Sequence, residues 1–68
     1  MFEKNKIYKH KNCLDVVFKV SKIIGETNEV ISLSGLWLNK HYSLMIICDD
    51  IVDIQREDIE KWEEFVVE

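Results

Sequence analysis

Apolar and polar residues alternate through the segment VVFKVSKII, with Val16, Phe18 and Val20 on one side and Lys19 and Ser21 on the other. A half-buried strand shows this period of two, and the pattern predicts a strand over residues 14–24. GETN, residues 25–28, supplies Gly and Asn for a tight turn. EVISLSGLWL then resumes the alternation, with Ile31, Leu33 and Trp37 set against Ser32 and Ser34. Two strands joined in this way form a hairpin. Gly35 interrupts the second one and marks a bulge that bends it.

NKHY, residues 39–42, reads as a polar connector, and SLMIICDDIVDI after it is too continuously apolar to be solvated on both faces. Residues 43–48 are therefore expected as a central strand, interrupted by Asp49 and Asp50, with a short further strand at 51–54. KIYKHK near the N-terminus alternates weakly, with Ile7 inward and Tyr8 across the sheet. It suits an edge, where Lys side chains discourage pairing with a second molecule. From Glu57 the period changes. Ile59, Trp62, Phe65 and Val66 make one stripe of a helix over about residues 56–66, whose other faces hold Glu57, Asp58, Glu60, Lys61, Glu63 and Glu64. Carboxylates in the first turn suit the positive end of the helix dipole, whereas Glu63 and Glu64 do not. The expected fold is mainly β (α+β): a small antiparallel SH3-like barrel or a twisted sheet of four to five strands with a C-terminal helix. A plain α+β sandwich is the alternative.

Composition sharpens this picture. The chain has no Ala and no Pro, so the best helix former is missing, while Val, Ile and aromatic residues supply the apolar positions. With 68 residues there is room for one domain. A chain of this length buries only about 60% of its unfolded surface, which argues against a deep enzyme pocket. The N-terminus lacks the apolar core of a signal peptide, and the longest apolar run, residues 44–48, is too short to span a bilayer. The expected location is cytoplasmic, with no membrane partner. The net charge of −4 conceals a division, because residues 1–22 carry six Lys against Glu3 and Asp15 while residues 49–68 carry nine carboxylates against Arg56 and Lys61.

No catalytic, cofactor or metal motif emerges. Cys13 and Cys48 read as two buried thiols rather than a disulfide. His10, Cys13, His41 and Cys48 lack zinc-finger spacing, and no elbow or oxyanion loop accompanies them for nucleophilic chemistry. DDIVD, residues 49–53, has the DDxxD spacing that gathers magnesium in prenyl-diphosphate enzymes, yet in an interrupted strand it reads as solvated carboxylates. The acidic C-terminal segment suggests a second idea, mimicry of DNA phosphates toward a basic partner.

Two candidate surfaces follow. In GLWLNKHY, an inward Trp37 turns Leu36 and Leu38 outward beside His41 and Tyr42, a set of apolar and aromatic groups of the kind that anchors protein interfaces. In KNKIYKHKN, Lys4, Lys6, Lys9 and Lys11 surround Tyr8 and His10, and this cluster is the alternative: phosphates held by Lys, bases stacked on the rings. The RNA-recognition and cold-shock aromatic signatures are absent, and the overall charge opposes a polyanion. Homo-oligomerisation through the edge strand is a third route to a partner.

Short, rich in Lys and Ile, and lacking Ala and Pro, the whole chain resembles the small accessory proteins of tailed bacteriophages, and KIYKHK is similar to the first strand of bacterial SH3-like small domains. The resemblance implies a class only: a non-enzymatic protein that binds a host protein in the host cytoplasm and inhibits or adapts it. The expectation is thus a protein-binding module using residues 36–42, with nucleic-acid binding through the Lys cluster as its alternative. Burying Trp62 should contribute roughly 1.5–3 kcal/mol, a large share of what a small domain has. Trp62→Ala is expected to unfold or severely destabilise the protein, as a thermal melt would show.

Overall fold

The strand over Val16–Glu26 (β2) is the hub of the sheet: Ile7–His10 (β1) pairs with one side of it and Val30–Asn39 (β3) with the other. Ile46–Gln55 (β4) adds to β3 and Trp62–Glu64 (β5) to β1. These elements come from a computed structural model that describes residues 2–67. Every pairing is antiparallel, and the strand order is β4-β3-β2-β1-β5. The protein is mainly β. Its sheet does not close into a barrel, since β4 and β5 form its two edges. No helix among the described residues is long and apolar enough to cross a membrane.

Register separates the two faces. Phe18 lies opposite Trp37, Val20 opposite Gly35, Leu33 opposite Val52 and Ile31 opposite Ile54. With Phe2 and Tyr8 these residues build the main core, against which Trp37, Val52, Ile59 and Trp62 pack. The other face carries the pair Val17 and Leu38, both buried outside that core. Register shifts leave Ser21 and Ile24 of β2 without an opposite residue on β3, and Ile47 of β4 likewise. Bulges of this kind increase local twist and bend a strand.

Gly35 is obligatory for a packing reason. A Cβ there would collide with the Lys19 carbonyl oxygen and come 2.8 Å from the Phe18 ring. The hairpin turn is held from its own side chains, because Thr27 Oγ1 accepts the Glu29 and Val30 N–H groups at 3.2 and 3.0 Å. Arg56 ties that turn to the end of β4, donating from its backbone N–H to the Glu29 carbonyl at 2.9 Å and from Nε to the Thr27 carbonyl at 2.8 Å.

Five expectations are corrected. Tyr8, not Ile7, faces inward: it lies opposite Phe18 in the main core, while Ile7 is half-buried opposite Lys19. The helix over 56–66 is a short 3-10 helix, Arg56–Lys61, followed by β5. A three-residue spacing suits a 3-10 turn as well as an α-helix, and the outer side of β1 needs a strand: Lys11 N–H donates to the Lys61 carbonyl and Phe65 N–H to the Ile7 carbonyl, both at 2.8 Å. The central strand at 43–48 and the short one at 51–54 are one strand at an edge, running unbroken through Asp49 and Asp50. β1, expected at an edge, lies between β2 and β5. Leu38, expected outward, is buried because the back of the sheet has a small apolar layer of its own.

The two glycines give opposite expectations. Gly35→Ala should cost stability at or above the upper end of the roughly 1–3 kcal/mol typical of overpacking. Gly25→Ala meets nothing within 4 Å and should be neutral or stabilising by up to about 1 kcal/mol. Urea denaturation of the two variants checks both.

Candidate protein-binding surface

The structure divides the residues expected to act together at 36–42. Trp37 is half-buried on the core face, its ring 5.0 Å from Phe18 and 6.4 Å from Trp62, and its Nε1–H donates to Asp50 Oδ2 at 2.9 Å. Leu36 is half-buried and Leu38 buried. His41 and Tyr42 are exposed, in the connection between β3 and β4. His41 Nε2 sits 3.0 Å from Asp15 Oδ1, which anchors this connection to the start of β2, and the Lys40 N–H donates to the Asp15 carbonyl at 2.8 Å. Ser43 and Leu44 follow with φ of 51° and 55°, a left-handed conformation uncommon for such residues. Leu44 then turns back toward Phe65, Val66 and Val67, with which Lys40 and Ser43 line an open cleft of about 400 Å³.

On both sides of that bend several large apolar groups are not covered. Tyr42, Met45, Ile46, Ile47 and Ile51 are each more than half exposed. They run along the connection and up β4, so the accessible apolar surface shares Tyr42 with the expected patch and otherwise lies next to it. Sequence reasoning missed Met45, Ile46, Ile47 and Ile51 because an Ile-rich run ordinarily means burial on both faces. The signal that distinguishes this strand is the insertion of Asp49, Asp50 and Asp53, which a central strand does not accommodate unpaired.

The Lys cluster has a different setting. Tyr8 is buried, its ring 4.8 Å from Phe2, and its hydroxyl accepts the Glu3 N–H at 2.7 Å, so it presents no face for a base. His10 Nδ1 accepts the Asn12 N–H at 3.0 Å while its ring meets Trp62 edge to face at 5.1 Å. Lys6 Nζ lies 2.8 Å from Glu3 and 3.6 Å from Glu64. Lys9 stands opposite Glu63 in the β1–β5 register, and Lys4 and Lys11 are exposed. The basic and acidic ends of the sequence are thus neighbours, and β5 lays carboxylates along the strand that carries the Lys.

Cys13 is half-buried and Cys48 exposed, both as free thiols, where burial of both was expected. Among the described residues no group of three or more His, Cys, Asp or Glu converges to hold a metal ion.

The Lys6 ammonium holds the Glu3 carboxyl below its ordinary value, first through their hydrogen bond and then through charge, and Lys6 itself is raised by the same contact. A depressed carboxyl stabilises the fold above its unfolded pKa, and the contribution is lost as pH falls through the folded value. A raised ammonium contributes below its unfolded pKa and loses that contribution as pH rises through the folded one. Lys6→Gln should therefore move the Glu3 titration upward and flatten the acid limb of stability; NMR titration of the Glu3 side chain reads the first effect and melts below neutral pH the second. In comparisons with known proteins, no protein family, curated protein or solved structure matches this chain.

Proposed function

We propose that this chain is a small non-enzymatic protein-binding module, an inhibitor or adaptor of another protein, that engages its partner through Tyr42, Met45, Ile46 and Ile47. The observation that carries the reading is the run of exposed large apolar side chains at the β3–β4 connection, in a domain small enough that such groups would be expected to go into the core. Exposed aromatic and aliphatic groups grouped beside a loop supply interface anchors. The meander of β1 to β4, with β5 returning beside β1, supports kinship with the SH3-like plan, opened between β4 and β5. The resemblance to phage accessory proteins supports a host protein as target and the host cytoplasm as the place of action.

Tyr42→Ala combined with Ile46→Lys should abolish stoichiometric co-purification of a partner from a lysate of the source cells. Ile24→Lys, an exposed apolar position on β2 away from the connection, should leave it intact. Truncating one central anchor typically weakens an interface by about tenfold or more. Recovery of no partner, or equal recovery with both variants, would overturn the reading.

A further inference from the structure

The two edges of the sheet are built differently. β5 is only three residues long, and a very short edge strand is one way natural sheets blunt an edge. β4 is ten residues long, without Lys, Arg or Pro, and includes the exposed Ile46, Ile47 and Ile51. Long apolar edges of this kind are templates for another strand. The Ile51 N–H is not bonded to β3; it donates to Asp50 Oδ1 at 2.8 Å, so a side chain holds the place that a partner strand's carbonyl would take.

We propose that the outer edge of β4 takes an extended basic segment of another protein as a sixth strand. The proposal rests on the protein-binding reading above and names the chemistry of the partner. Asp49, Ile51 and Asp53 occupy alternate positions and so share one face, opposite Leu36, Ser34 and Ser32 of β3. Asp53 Oδ1 accepts the Ser32 hydroxyl at 2.6 Å and Asp50 the Trp37 indole, but among the described residues none of the three carboxylates has a cationic partner. A partner strand with a basic residue, an apolar one and a basic one at every second position meets Asp53, Ile51 and Asp49 in turn.

A second copy of this chain fits poorly. Two identical antiparallel strands related by a two-fold axis keep each side chain on its own face, so a residue, not a peptide bond, must lie on the axis. The registers that overlap β4 most are centred on Asp50 or on Ile51. The first sets Asp50 against its copy, and the second sets Asp49 against Asp53 twice. Like charges directly opposed across strands are destabilising, whereas opposite charges there are favourable.

The test is fluorescence anisotropy of a labelled peptide, Thr-Lys-Thr-Val-Thr-Lys-Thr, against the full chain at low salt. Saturable binding is expected, weakened about tenfold or more by Asp49→Lys with Asp53→Lys, and equally by a peptide with Pro in place of Val, whose charge is unchanged but whose strand hydrogen bonding is broken. Equal binding of the Val and Pro peptides would reduce the effect to charge alone and overturn the proposal. Absence of peptide binding, with a co-purified partner still lost on changing Tyr42 and Ile46, overturns the sixth strand and leaves the protein-binding reading standing. A concentration-dependent dimer in sedimentation that Ile51→Lys dissolves would assign the edge to a second copy instead.

Discussion

The Phe18 ring rests against the backbone of Gly35, and the rest of the core is arranged around that contact. Because nothing projects from Gly35, the Phe18 ring of β2 can lie over the β3 backbone on the core face of the sheet. Trp37 then packs edge to face on Phe18, Trp62 tilts against Trp37, and Phe2 reaches Trp62 at 6.2 Å. A chain of aromatic contacts thus runs from β2 and β3 out to β5 and the N-terminal segment. Edge-to-face pairs are each worth about 0.5–1.5 kcal/mol beyond the area they bury. In a small domain such contacts carry weight, since aliphatic burial alone leaves little margin.

The same arrangement explains where charge goes. Trp62 can reach the core only if β5 lies beside β1, and that placement sets Glu63 and Glu64 next to Lys9 and Lys6. The electrostatic division of the sequence is therefore folded back on itself at one edge. At the other edge, Asp49, Asp50 and Asp53 of β4 have no cationic partner among the described residues.

Much of the sheet was legible in the residues. The alternation from Val16 to Val20 and from Ile31 to Trp37, with the turn between, identifies the β2–β3 hairpin, and Gly35 is unusual enough to draw attention. What could not be read is decided by contacts distant in sequence. Residues 56–66 have a helical stripe, yet the open side of β1 recruits residues 62–64 as a strand, as tertiary pairing often overrides a local period. Residues 46–55 look central by their Ile content and lie at an edge, and the only local sign of it is the set of Asp residues that interrupts the apolar run. The candidate surface suffered most, since Trp37 and Leu38 are consumed by two apolar layers while the accessible groups begin a few residues later.

The β1–β5 pairing has a mechanical consequence. Ile7 and Phe65 lie side by side at the same end of that antiparallel pair, joined by the Phe65 N–H to Ile7 carbonyl bond. A load applied through the two ends of the described chain therefore reaches the hydrogen bonds one after another, peeling β5 from β1, instead of shearing them together. Such a zipper opens at low force. The β2–β3–β4 meander, held by hairpins that do not span the points of attachment, would keep its shape after β5 had come away.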